Sequence, residues 1–297
     1  MEKRKASYLK IADFIIKLLP APGFSLILEG GYEPFLFPRE NQAADIIVEA
    51  FPGFPKSSSV EPEPIYTAIL DGQKLWQINN QNGNYQFIIY DQESLGKIQQ
   101  IALVDQQFKH WKIYMLPIKG DGLQVGLCPL LYPMGPLIMY YLTVKNEAVL
   151  VHASGIKDNV GKGRIFSGFS GVGKSTMAKL WNDKGAKIIN DDRLIIRKFG
   201  EDFYLYNTPM FYADKPKKTK LDAVYLPFHH LENNINKISG TKALSGLMAF
   251  CIQHGYKRSH LEQHLNFLNG LCNKIPVYEL GFVPDESIIE FIKSNES

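Results

Sequence analysis

The chain has 297 residues, 45% hydrophobic and 21% charged, an ordinary globular composition with room for one or two domains and far from that of a disordered chain. Lys+Arg 33 against Asp+Glu 30 leaves a net charge of +3, which argues against a dedicated nucleic-acid binder with its concentrated basic patch. Three cysteines (Cys128, Cys251, Cys272) with no CxxC spacing exclude a disulfide scaffold and a cysteine-rich zinc module, and fit reduced thiols in the cytoplasm.

No apolar run approaches the 18 or more residues of a membrane span, so no membrane partner is expected. After the basic start MEKRKASYLK, the stretch Ile11 to Leu19 is broken by Asp13 and Lys17 and closed by Pro20 and Pro22. It does not read as a signal peptide. Residues 1–135 read as a β-rich domain. Phe24 to Leu28 and Ile46 to Phe51 are short and apolar, Lys74 to Tyr90 is a hairpin turning at Asn82-Gly83, and Trp111, Ile113 and Met115 alternate. Trp76, Tyr85 and Phe87 suit a pleated, half-buried surface. The Asn/Gln-rich stretch Gln77 to Asn84 is expected at the hairpin tip. Pro55 to Pro64 (PKSSSVEPEP) is expected to be an exposed loop.

Near Pro136 the pattern changes, and residues 136–297 read as an α/β domain. Leu137 to Val144 predicts a buried helix with proline in its first turn. Strands are predicted at Ala148 to His152, Arg164 to Ser167, Lys187 to Ile189, Leu194 to Lys198, Phe203 to Tyr206, Ala223 to His229 and Val277 to Phe282. Helices are predicted at Lys174 to Lys184, Thr241 to His254 and Arg258 to Leu271, with a short one from Asp285. Lys215, Lys217, Lys218 and Lys220 read as a solvated loop. His229 and His230 are expected to place one ring inside and one outside.

Gly168-Phe169-Ser170-Gly171-Val172-Gly173-Lys174-Ser175-Thr176 satisfies G-x-x-x-x-G-K-[ST], a pattern that arises by chance in roughly one per cent of chains this long. Glycines let such a loop turn its N–H groups toward a phosphate, and the helix behind it adds the positive end of its dipole. Gly168, Ser170, Gly171, Val172, Gly173, Lys174, Ser175 and Thr176 are the expected phosphate-binding residues. Lys174 would reach the β/γ-phosphates and the Ser175 hydroxyl would hold Mg²⁺. An apolar strand (Ile165, Phe166) enters and an amphipathic helix (Met177, Leu180, Trp181) leaves. Asp191 and Asp192 follow 17 residues after Lys174 (191 − 174), where a strand is expected to end. Carboxylates so placed can hold a metal or accept a proton, whereas alone they would read as a turn or a cap. His152 ends a strand and opens Ala153-Ser154-Gly155, with a structural and a functional reading equally open. The chain lacks the NKxD guanine-reading motif, which disfavours a GTPase.

In this order, His-Ala-Ser, GxSGxGKST and Asp-Asp-Arg, the chain resembles the C-terminal catalytic domain of HPr kinase/phosphorylase, which shares a fold with phosphoenolpyruvate carboxykinase. The close match runs from about Val149 to Arg197. The resemblance implies an α/β P-loop domain of that type after the β-rich N-terminal domain, α+β overall; the N-terminal domain, which carries no phosphate motif and differs in pattern, is expected to have an acceptor-binding role. It implies ATP and Mg²⁺ as cofactors, with Mn²⁺ as an alternative ion, Ser175 and Asp191 as metal ligands, and Asp192, His152 and Lys174 as catalytic residues. The implied activity is a kinase transferring the γ-phosphoryl group to a hydroxyl on a peptide, protein or small molecule. A nucleotide-binding regulatory protein with little turnover and a carboxykinase-like enzyme are the alternatives. In the last of these, Asp192 and His152 would both sit on a metal. The family's glycine-rich segment that reads HPr has no counterpart in Asn207-Thr208-Pro209-Met210-Phe211 or the KPKKTK after it, so the acceptor stays open. So does the oligomeric state, a homo-oligomer included.

Overall fold

The computed structural model describes residues 5–38, 43–55, 63–81, 83–94, 96–120, 125–210, 214–254 and 256–296. Asn82 and most of the expected Pro55 to Pro64 loop lie outside them. The chain divides into two compact units, Met1–Leu142 with Pro209–Lys215, and Thr143–Thr208 with Pro216–Ser297. The helix begun near Pro136 thus falls mostly to the first unit, and so does a short segment from the second half. With several sheets and five α-helices among the described residues, the protein is α+β.

In chain order the first unit holds β1 (Ser7–Ile11), β2 (Phe14–Pro20), β3 (Ser25–Leu26), β4 (Ile46–Pro52), β5 (Pro64–Leu70), β6 (Gln73–Gln81), β7 (Asn84–Tyr90), β8 (Ile98–Val104), β9 (His110–Met115), β10 (Ile118–Lys119), β11 (Val125–Leu127) and most of α1 (Met134–Val144). Eight of these strands form one sheet in the order β1-β2-β4-β9-β8-β7-β6-β5, and β10-β11-β3 form a small one. The hairpin of β6 and β7 closes between Gln81 and Asn84, with Gly83 at φ 81°, the region where only glycine is unstrained. Trp111, Ile113 and Met115 are buried. Tyr141 of α1 stacks on Phe108 at 4.1 Å and meets Phe87 edge-on at 5.5 Å. Two expectations need correction. The strand at Phe24 to Leu28 shortens to Ser25–Leu26. Gln77 and Asn79 are buried within β6 rather than at a tip: Gln77 donates to Asn79, Asn79 to Gln86, and Tyr90 to Gln77. Burial there is tolerated because the amides satisfy one another.

The second unit holds β12 (Ala148–Lys157), β13 (Gly163–Ser167), α2 (Lys174–Asp183), β14 (Lys187–Asn190), β15 (Arg193–Phe199), β16 (Asp202–Asn207), β17 (Lys218–Lys220), β18 (Ala223–His229), β19 (Asn234–Ile238), α3 (Gly240–Met248), α4 (Arg258–Cys272), β20 (Val277–Phe282) and α5 (Ser287–Asn295). Its sheet runs β17-β16-β15-β12-β13-β18-β20-β19, with β14 also on β12. Among its described residues only β13, β18 and β20 pair in parallel. Both faces are covered, so successive residues of the central strands are apolar and enter opposite cores. Ile165, Val224 and Val277 pack with Ala243 and Leu247 of α3 and Leu268 and Leu271 of α4. Phe166, Tyr225 and Tyr278 pack with Met177, Ala178 and Trp181 of α2 and Ile288, Ile289 and Ile292 of α5.

Beneath α2 lies a buried ionic network. Arg164 donates to Asp158 at 2.6 Å and to both oxygens of Glu296 at 2.6 and 2.7 Å, and Tyr225 donates its hydroxyl to Glu296. The guanidinium lies 4.6 Å from the Trp181 ring centroid. Burial acts against the Arg164 charge, but Glu296 and Asp158 raise its pKa well above the ordinary value.

Three further expectations change. The helix predicted over Thr241 to His254 stops at Met248, because Cys251 bridges to Val151 and Ile252 N–H donates to Leu150 O. The lysine run is not all loop: Lys218–Lys220 pairs with β16, and Lys218 lies over Tyr204 and Tyr206. His229 and His230 are both exposed rather than split between inside and outside, since the strand leaves the sheet's cover at Phe228.

Candidate active site

β13 is buried throughout, and its chain emerges at Gly168, loops through Gly173 and enters α2 at Lys174. Gly171 has φ 83° and Gly173 φ 98°. At Gly173 a Cβ would also lie 2.5 Å from Cζ of Phe282, so both conformation and space demand glycine. Gly173 is the N-cap of α2, with no side-chain capping bond and no acidic residue in the first turn. The first-turn N–H groups, which a helix cannot satisfy itself, thus have no acidic residue of their own turn to answer them. Ser170, Gly171, Ser175 and Thr176 are exposed, Val172 is half-buried, and Gly168 is buried.

Lys174 is buried, and its ammonium donates to Gly168 O at 2.8 Å and Phe169 O at 2.9 Å. Desolvation lowers its pKa, opposed by the charges of Asp191 and Asp192. The loop lysine and both carboxylates therefore share one electrostatic site.

β14 ends at Asn190 and the two carboxylates follow it, as the sequence implied, but they lead straight into β15 rather than away from the sheet. β14 and β15 run successively antiparallel to the same strand: Asn190 is opposite Gly155 and Arg193 opposite His152. Asp191-Asp192 is the bend joining them, and the register shifts just before it, between Gly155 and Ile156. Such irregularities re-aim side chains without ending a sheet. Asn190 Oδ1 accepts the N–H groups of Asp191 at 2.7 Å and Asp192 at 3.3 Å, an Asx arrangement that fixes the bend.

Each carboxylate has its own partners. Asp191 Oδ1 accepts the Ser154 hydroxyl. Asp192 Oδ1 lies 3.1 Å from His152 Nδ1, and Arg193 Nε lies 3.3 Å from Asp192 Oδ2. The His152 hydrogen bond, then the charges of Arg193, His152 and Lys174, hold the Asp192 carboxyl below the usual range against its desolvation. His152 is itself fixed by its backbone: its N–H donates to Phe250 O at 2.9 Å, and its carbonyl accepts the Ser167 hydroxyl at 3.2 Å.

The sequence reading missed Ser154, Asn190 and His229, whose Nε2 lies 3.1 Å from Gly171 O. Asn190 carried a legible signal, an Asx residue directly before two polar ones. His229 carried none, because only the parallel pairing of β13 and β18 brings it beside the loop.

The donors suit a hard divalent ion. Ser175 offers a hydroxyl and Asp191 a carboxylate, and among the described residues no three His, Cys, Asp or Glu side chains form a closed metal cage. Mg²⁺ is ordinarily held by one or two carboxylates plus substrate phosphates, rather than by protein alone.

No protein-family model matches the chain, and no curated protein does. Among solved structures it is similar to the Hpr(Ser) kinase/phosphatase from Coxiella burnetii, at 11% sequence identity and a TM-score of 0.28, over 49% of this chain and 91% of that one. That likeness is distant. Among the described residues no helix is long and apolar enough to cross a membrane.

Proposed function

We propose that the second unit is an ATP- and Mg²⁺-dependent kinase that transfers the γ-phosphoryl group to a hydroxyl. The observation that carries this reading is the His152–Asp192 pair at 3.1 Å, placed where Lys174 feels the charge of both Asp191 and Asp192. A loop that only held a nucleotide has no need of an oriented, ionised carboxylate next to its lysine.

Each group has a task that its surroundings equip it for. The loop N–H groups and the start of α2 bind the phosphates. Lys174, on exchanging its two carbonyl partners for phosphate oxygens, brings a positive charge to the β/γ-phosphates. Ser175 and Asp191 hold Mg²⁺, which when bound neutralises charge developing on the transferred group. Asp192 orients the acceptor hydroxyl and takes up its proton. Its depressed pKa does not disqualify it, because the transition state is loose and the proton moves late, so orientation counts for more than basicity. His152 and Arg193 fix the Asp192 carboxylate from two sides.

The test is direct. Incubation with γ-labelled ATP, Mg²⁺ and a panel of free serine, serine peptides and HPr should give label transfer to at least one acceptor above plain hydrolysis. Tight ATP binding with neither transfer nor hydrolysis would make this a nucleotide-binding regulator instead.

A further inference from the structure

An aromatic pair at the rim of the loop has no part in the chemistry above. Phe169 is 72% exposed, although a large ring normally leaves water. It meets Phe250 edge-on, with centroids 5.1 Å apart and planes at 81°. Both rings hang from carbonyls that hold site residues: Phe169 O accepts from Lys174 Nζ and Phe250 O from the His152 N–H, each at 2.9 Å. The pair thus spans from the phosphate loop to the strand carrying His152. Across β12 from it, Ala153 N–H donates to Asp192 O at 3.0 Å. The opposite flank of the loop, toward β18, differs in character, with His229 on Gly171 O.

We propose that Phe169 and Phe250 are specificity-determining residues for the acceptor, and that the hydroxyl it presents to Asp192 lies next to an apolar or aromatic group. This rests on the kinase reading. A hydroxyl delivered to Asp192 lies one strand away from the rings, because successive N–H groups of β12, those of His152 and Ala153, hold Phe250 and Asp192, so its neighbouring substituent is within reach of the pair. There an apolar substituent covers the exposed face of Phe169, whereas a charged one loses water and meets no counter-charge from the pair. Covering one medium apolar side chain amounts to about tenfold in affinity.

The experiment measures binding of four probes, Leu-Ser-amide, Phe-Ser-amide, Asp-Ser-amide and Lys-Ser-amide, to the full chain loaded with Mg²⁺ and a non-hydrolysable ATP analogue. The expected result is an apolar-over-charged preference of about tenfold in the wild type. It should fall below about threefold in Phe169→Ala and be largely restored in Phe169→Leu. Because the preference is a ratio within one variant, a ring that only shields Phe250 would lower stability and leave it unmoved. Equal binding of all four probes, or a preference unchanged in Phe169→Ala, overturns the inference while the kinase reading stands. A wild-type chain that binds no ATP·Mg²⁺ overturns both.

Discussion

At the start of β13, Arg164 is buried between Asp158 and Glu296, with Tyr225 on the same carboxylate and Trp181 against the guanidinium. Past the other end of the same strand, at the start of α2, Lys174 is also buried but rests on two backbone carbonyls, while the carboxylates it feels are bonded to Ser154, His152 and Arg193 instead. One end is closed, with its cation matched by hydrogen-bonded anions. The other leaves a cation and two anions near each other but not joined. A strand of five residues so separates charge that holds the fold from charge that a ligand can reorganise. Buried ions are costly unless paired, so the unjoined end is where function is expected.

The largest effect should follow Lys174→Ala, which empties the open end of its cation. Phosphate transfer should be abolished while the melting temperature moves only slightly. Transfer at the wild-type rate would erase the contrast between the two ends. Next, Asp192→Asn should keep ATP·Mg²⁺ affinity and slow transfer by about 10²–10⁴-fold, while Asp191→Asn should weaken the Mg²⁺-dependent part of binding. Titration of Mg²⁺ and Mn²⁺ against each variant separates them. A loss of metal affinity confined to Asp192→Asn would make Asp192 and His152 the metal-binding pair, as in the carboxykinase reading.

The closed end answers to stability instead. Arg164→Leu strands Asp158 and Glu296 and should cost about 3–5 kcal/mol, measured by urea unfolding. A cost under about 1 kcal/mol would mean that the network is not closed to water after all.

Acid should act on a third place before it reaches either end. Burial depresses His260 and His264 of α4 to about 4, and His254 to about 3. Their folded values lie below the ordinary histidine value of about 6.5, so the unfolded chain takes up protons first. Stability that is full above about pH 6.5 should fall toward pH 4, by roughly 2–3 kcal/mol per ring. Asp158, Glu296 and Asp192 are also depressed. Their contribution is complete above the ordinary carboxylate range and is lost only at lower pH, as each folded value is passed. Unfolding midpoints from pH 7 to 4.5 should therefore slope steeply in the wild type and less in His260→Leu/His264→Leu. An unchanged slope would place the acid sensitivity on β13 after all.

Local pattern carried a good part of the architecture. The hairpin at Gly83, the burial of Trp111, Ile113 and Met115, and the strand, loop and helix from Gly163 to Asp183 are written in neighbouring residues. Their causes are turn chemistry, alternation and glycine conformation. What was not legible depends on partners distant in sequence. Leu244, Leu247, Met248 and Cys251 keep helical spacing to the end, so nothing nearby says that Cys251 leaves the helix to bridge to Val151. The strand terminus before Asp191-Asp192 was legible, but not that β14 and β15 both pair with β12 on either side of the bend. Arg164 reads as a charged strand residue, because Asp158 is local but Glu296 is not.

The Arg164–Glu296 contact spans 132 residues, and this bears on how the chain is made. Translation adds about 5–20 residues per second, so on the order of ten seconds separate the two residues as they leave the ribosome. During that interval the nascent Arg164 has only Asp158 to answer its charge, and the apolar residues of α5 that cover Trp181 do not yet exist. The strand that leads into the loop of residues 168–173 is thus synthesised well before the partner that closes its far end. A ribosome-stalled chain ending before Glu296 should carry the whole motif of residues 168–176 and still be cut readily by protease around β13, whereas a chain that includes Glu296 resists.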